Sequence, residues 1–207
     1  KEALDRLDER LRSGLTEPAG RAGRLICAAL TVLAFILLMT TRTMTLLSGA
    51  GMGARMAAAV CLAVPLTAML AFALRGENGL LGTLGLCALC AAAMLARVSF
   101  IERSAGDYDY YLADWLQKLG AGSFSDGMRQ NIGEYNVLYQ YILFMITRLP
   151  VPPLYAVKAV SFIGDAFLAG AAASLAAKDG KPSLTAFGAM LLLPTVVLNG
   201  GMFAQCD

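Results

Sequence analysis

Apolar residues fall in long uncharged runs along this chain, most of them fenced by charged residues. Leu25–Thr41 lies between Arg24 and Arg42, Met56–Leu74 between Arg55 and Arg75, and Gly79–Ala96 between Glu77 and Arg97. Each is close to the ~17–25 residues needed to cross the hydrocarbon core of a bilayer. Ala159–Ala177 is a fourth such run, carrying Asp165, and Ser183–Leu198 is a fifth, interrupted by Pro194. Val137–Leu149 is apolar but covers only about 20 Å as a helix, short of the core. Pro150, Pro152 and Pro153 then break it, so it is expected to be a juxtamembrane or re-entrant helix. Ahead of all these, Leu4, Leu7, Leu11 and Leu15 recur at spacings of three and four, an amphipathic helix that ends near Pro18. The pattern predicts an all-α, polytopic membrane bundle with one long polar loop that contains short juxtamembrane helices.

Charge orients the bundle. Lys1, Arg6, Arg10, Arg12, Arg21 and Arg24 precede the first span and place it with its start in the cytoplasm. Three crossings then put residues 102–135 outside. This stretch is too long for a plain connector, and Asp109 to Leu119 within it suits a short helix ended by Gly120 and Gly122. Lys178-Asp179-Gly180-Lys181 makes a basic turn that favours the cytoplasm, and the chain from Asn199 then emerges on the same side as Asp107. In the competing arrangement residues 137–149 cross, which puts Gln205 and Asp207 inside. The organisation read from this is a cytosolic amphipathic segment at 1–24, two spans within 25–76, and a further membrane module over 77–207 with its outer loop at 102–157. The chain starts with Lys1 and stops at Asp207 just past an apolar run. It is expected to be the amino-terminal part of something longer, a multi-pass protein of the cell membrane.

Composition agrees and narrows the chemistry. Only 15% of residues are charged and 57% are hydrophobic, whereas a soluble domain carries roughly 25% charged residues. A net charge of +2 with no basic patch among the aromatics gives no sign of a nucleic-acid partner. The chain has no histidine, which excludes Ser-His-Asp and Cys-His catalysis within these residues. Of its five cysteines, Cys87 and Cys90 have redox or zinc spacing, but their setting of leucine and alanine makes them small membrane residues.

All seven tyrosines and the single tryptophan lie between Tyr108 and Tyr155. The stretch opens with Asp107, Asp109 and Asp114 interleaved with Tyr108, Tyr110, Tyr111 and Trp115. On an α-helix Asp107, Tyr111 and Asp114 would share one face. A carboxylate partly shielded by aromatics can accept a proton, and stacked aromatics beside carboxylates suit sugar rings. The plainer reading of the same residues is an interfacial aromatic belt with solvated acids. Asp165 is a functional candidate because a lone acid in an apolar span is expensive, although a structural hydrogen bond to a neighbouring helix would also account for it. Lys158 is expected at the outer entrance of the same helix, where an exposed ammonium can hold a lipid phosphate or simply reach the head groups. Asn199, Gln205 and Asp207 follow the Pro-interrupted span and suit the lining of a pocket.

Four ordered stretches carry a resemblance. They are Ser104-Ala105-Gly106-Asp107-Tyr108 with Trp115; Asn131-Ile132-Gly133-Glu134-Tyr135-Asn136 with Tyr139 and Tyr141; Leu154-Tyr155-Ala156-Val157-Lys158 followed by Asp165; and Leu192-Leu193-Pro194-Thr195-Val196-Val197-Leu198-Asn199-Gly200 through Gln205-Cys206-Asp207. Over about residues 95–207 the chain resembles GT-C glycosyltransferases, in the style of bacterial proteins similar to dolichyl-phosphate-glucose and -mannose transferases. The last stretch resembles the family's LLPtvilN…WGQcDs, with Phe203-Ala204 standing where Trp-Gly is usual; Val137-Leu138 replaces a usual Pro-Pro. The first two spans have no place in the match and are read as an amino-terminal addition.

The resemblance implies a membrane hexosyltransferase that uses a polyprenyl-phosphate-linked sugar at the outer membrane face. Its first-loop acid, matched by Asp107, would deprotonate an acceptor hydroxyl on a glycan, lipid or protein. That oxygen attacks the anomeric carbon as the lipid phosphate leaves from the opposite face, inverting configuration. The remaining substrate-binding residues it implies are Tyr108, Asp109, Trp115, Asn131, Tyr135, Asn136, Lys158, Gln205 and Asp207, with no cofactor and no divalent metal expected. The alternative is a transporter or flippase with Asp165 as its coupling residue.

Overall fold

A computed structural model describes residues 6, 9, 20–76, 78–130, 132 and 136–204. Most of the 1–24 segment, and the candidate residues Asn131, Tyr135, Gln205 and Asp207, lie outside the described residues. Among the described residues the fold is all-helical. Its long helices are α1 (Arg21–Leu46), α2 (Met52–Ala73), α3 (Leu80–Val98) and α7 (Pro153–Leu175). All four are long and apolar enough to cross a membrane. Between α3 and α7 the chain forms a π-helical turn (Tyr108–Leu112) and three short helices, α4 (Ala113–Gly120), α5 (Phe124–Arg129) and α6 (Val137–Ile146). After α7 come α8 (Leu184–Leu192), α9 (Pro194–Leu198) and a second π-helical turn (Asn199–Phe203). Helix α8 and the segment Pro194–Phe203 bend by 48° at their junction and make a fifth span if counted together.

One core holds the long helices. It runs through Phe35 and Met39 of α1, Leu62, Leu66 and Met69 of α2, Met94 of α3, Phe162 and Ala166 of α7, and Phe187 of α8. The first two spans are therefore built into the same core as the spans that follow. Gly170 lets α7 lie directly against Phe72 of α2: a β-carbon there would sit 2.6 Å from the ring. Arg55 ties the α1–α2 connection by donating to the carbonyls of Leu47 and Ser48. The face of α1 turned away from the core exposes Leu25, Leu30, Leu33 and Leu37, a surface matched to lipid. The threonines of this helix donate their hydroxyls to carbonyls three or four residues back, which removes the cost of carrying them there.

A second, smaller core gathers Leu112, Leu116 and Leu119 with Leu143, Phe144 and Ile146, beneath Ala156 and Val157 at the start of α7. Helix α6, with ten residues, is about 15 Å long and packs in this cluster beside α4 and α5. Helix α5 exists because Ser123 and Asp126 form a reciprocal capping box, whose hydrogen bonds hold the Asp126 carboxyl below its ordinary value. Helix α7 starts six residues earlier than the apolar run suggests, since proline at the first helical position costs nothing there.

Candidate functional site

The chain leaves α3 at Val98 and turns through Ser99–Glu102 before reaching the acidic segment. The last carbonyls of a helix have no partner within it. In α3 the amides of Ser99, Phe100 and Ile101 fill those of Leu95, Arg97 and Val98, and Lys158 of α7 holds the turn that follows: its Nζ donates to the carbonyls of Phe100 (2.7 Å) and Ile101 (3.1 Å) and also to that of Arg103. The side chain is fully buried. The exposed ammonium expected from the sequence is thus not what forms. An ammonium has three donors, and all three are committed to backbone, so in this conformation none is left for a lipid phosphate. Lys158 instead pins the stretch that ends four residues before Asp107.

Gly106 takes a left-handed conformation (φ 61°), which suits a residue without a β-carbon. Its carbonyl accepts from the amides of Asp109 and Tyr110, both at 3.1 Å, and starts the π-helical turn. Asp107 stands at the head of that turn, half-buried. The wider winding changes which side chains share a face. Asp114, which an ideal α-helix would align with Asp107, is solvent-exposed and pairs with Lys118 at 2.6 Å. Asp109 is exposed as well. Tyr108 is half-buried, and burial followed by the neighbouring Asp109 carboxylate raises its phenol above the ordinary tyrosine value. Trp115 packs into the small core beside Tyr108, with Tyr111 6.0 Å from it, while Tyr110 and Tyr111 are largely exposed. Asn136 serves as the cap of α6, its Oδ1 accepting from the amide of Leu138 at 3.0 Å.

Asp165 is not a lone acid. Arg97, read from the sequence as a charge fencing the third span, is inside it and fully buried. Its Nε donates to Asp165 Oδ2 at 2.8 Å, and its Nη1 to the carbonyls of Ala93 (3.0 Å) and Leu191 (2.9 Å). The last of these follows from Pro194. In an unbroken helix Leu191 C=O would accept from Thr195 N–H; the break at Leu193–Pro194 removes that donor and Arg97 replaces it. One sequence signal pointed here: an acid in an apolar span needs a partner, and Arg97 ends a neighbouring span.

Past the break, the Asn199–Phe203 turn lies directly on this ion pair. A β-carbon at Gly200 would meet Asp165 Oδ2 at 3.3 Å, and one at Gly201 would meet the carbonyl of Arg97 at 3.4 Å. A β-carbon at Gly106 would lie 4.0 Å from the ring of Phe203. Ala204 follows in a left-handed conformation (φ 55°), buried in the small core with Tyr108, Leu112 and Val157. The structure therefore brings Tyr108, Trp115 and Ala204 into one small core, with Asp107 next to Tyr108 in the chain and half-buried. Among the described residues no three metal-ligating side chains come together, and Cys27, Cys61, Cys87 and Cys90 are free thiols. No family model, curated protein or solved structure matches this chain.

Proposed function

We propose that this chain carries the acceptor-activating end of an inverting, lipid-phosphate-dependent glycosyltransferase of GT-C type, with Asp107 as the base. The observation that carries the reading is the placement of Asp107. It is the half-buried acid of its segment, it heads a π-helical turn beyond the third span, and its neighbour Tyr108 packs into the small core that also holds Ala204. π-helical turns are uncommon and concentrate at functional sites. A second support is local. The motif stretch has glycine where this chain has Ala204, and Ala204 takes the left-handed conformation that glycine favours.

In this reading Asp107 takes the proton of an acceptor hydroxyl, the oxygen attacks the anomeric carbon of a polyprenyl-phosphate-linked sugar, and the phosphate leaves with the bonding electron pair. One base suffices, because a phosphate departs without protonation. Tyr108 and Trp115 offer an aromatic wall for a sugar ring. Transport ranks second, since the Arg97 guanidinium occupies Asp165 Oδ2 and fixes that side chain between three helices.

The deciding experiment measures sugar transfer from a polyprenyl-phosphate donor in membranes. Asp107→Asn is expected to lower transfer at least ~100-fold, the scale of losing a general base, with the protein still inserted. Transfer that survives Asp107→Asn would remove the assignment, and Asp109→Asn would then be the variant to examine.

A further inference from the structure

Helix α7 holds the chain on both sides of Asp107 with two successive residues. Lys158, fully buried, commits its ammonium to the carbonyls of Phe100, Ile101 and Arg103. Val157, with Ala156, is buried in the small core with Leu112, and Tyr108 and Trp115 pack against that core. A third link is electrostatic: the Asp109 carboxylate acts on the Lys158 ammonium. Between the hydrogen-bonded end at Arg103 and the packed end at Tyr108 stand only Ser104, Ala105, Gly106 and Asp107. Ser104 and Ala105 belong to no helix or turn, and Gly106 reverses the backbone through its left-handed φ before its carbonyl starts the π-helical turn. Nothing regular inside this link fixes its course, so its two anchored ends do. A buried ammonium is costly unless its donors are filled, which makes the hold at Arg103 a firm one.

We propose, resting on the assignment of Asp107 as the base, that Lys158 is its positioning residue. By tying Phe100–Arg103 to the part of α7 that also carries Val157, Lys158 sets where the Asp107 carboxylate stands. It touches no reacting atom and acts on the reaction through geometry alone. A misplacement of about 1 Å can cost a reaction on the order of 100-fold in rate. A lysine that held the donor's phosphate would act on donor binding instead, and a lysine that was only a strut would act on the whole bundle.

The test takes the intact chain in lipid nanodiscs and measures both sugar transfer from a polyprenyl-phosphate donor and amide hydrogen exchange. Lys158→Met is expected to lower kcat about tenfold or more while KM for the donor stays unchanged. It is also expected to speed exchange about tenfold at the hydrogen-bonded amides of Arg103, Asp109 and Tyr110, with residues 52–73 and 159–175 still protected. Val157→Ala keeps the ammonium and loosens the other anchor, so it should raise exchange at Asp109 and Tyr110 and lower kcat by a smaller factor. A raised KM with kcat retained in Lys158→Met would make Lys158 a donor-binding residue and overturn the proposal. Unchanged exchange at those amides in both variants overturns it too, as does protection lost throughout 52–73 in both. Asp107→Asn separates this idea from the one beneath it. Transfer lost in Asp107→Asn but full in Lys158→Met removes the positioning role and leaves the base standing. Transfer that survives Asp107→Asn removes the base, and the positioning role with it.

Discussion

Two buried cations show how much of this molecule depends on single side chains finding backbone partners. Lys158 holds three carbonyls beyond the end of α3, and Arg97 holds one carbonyl freed by a proline. A cation at a helix C-terminus also complements the helix dipole. Lys158→Met keeps most of the apolar stem but removes the donor from the carbonyls of Ile101 and Arg103, and leaves that of Phe100 only the Arg103 amide. It is expected to cost roughly 1.5–3 kcal/mol, the scale of a hydrogen bond to a charged donor, read by chemical unfolding in detergent. Arg103 is exposed, and its own carbonyl is one of the three. Trypsin should therefore cut after Arg103 several-fold faster in the variant, because the backbone there is no longer held. A lysine that only reached toward head groups would give neither change.

At the scale of elements, the apolar runs predict the spans well because a bilayer-crossing helix is specified by length and lack of charge. Leu25–Thr41, Met56–Leu74 and Gly79–Ala96 correspond to α1, α2 and α3 with ends shifted by a few residues. The short helix expected over Asp109–Leu119 forms as well, but its first turn is π-helical, and nothing local in Tyr-Asp-Tyr-Tyr-Leu signals that. Asp114 pairs with Lys118 through the i, i+4 spacing of α4. Helix α5 was legible in principle, since Ser123 and Asp126 have capping-box spacing. Packing between elements is not legible in this way: α7 contains Gly164 and Gly170, alike in sequence and opposite in surroundings. Nothing lies within 4 Å of a β-carbon at Gly164, whereas one at Gly170 would meet Phe72 at 2.6 and 2.7 Å. That ring is also gripped by Phe167, edge-on at 5.3 Å, and by Arg75 over its face at 4.2 Å, so it has little freedom to move. Gly170→Ala is expected to destabilise by about 1–3 kcal/mol, the cost of overpacking. Gly164→Ala should be neutral or stabilising by up to ~1 kcal/mol through helix propensity. The two unfolding midpoints, measured side by side in detergent, check the pair.

For the whole molecule, the question is which ends of the bundle lie together. The acidic segment and the Asn199–Phe203 turn meet through Tyr108, Leu112 and Ala204 in the small core, and Gly201 lies on the backbone of Arg97 near the end of α3. Helix α6 sits with α4 and α5 in the small core and, at about 15 Å, is too short to return the chain across a bilayer. The sequence left this open, because Val137–Leu149 is apolar enough for either course and only its tertiary partners decide. With α6 on one side, α7 must carry the chain across and the Lys178–Lys181 turn must lie at the opposite face from Ser104 and Met202. Single cysteines at positions 104, 179 and 202, on a background with the native cysteines replaced by alanine, make this measurable with a membrane-impermeant thiol reagent on intact cells. Positions 104 and 202 are expected to react together and position 179 only after permeabilisation, given the arginines ahead of α1. Reaction at 179 alone would reverse the orientation while keeping the fold. Reaction at 104 and 179 without 202 would mean that α6 crosses after all, and the packing of Ala204 with Tyr108, and with it the joint site around Asp107, would not exist.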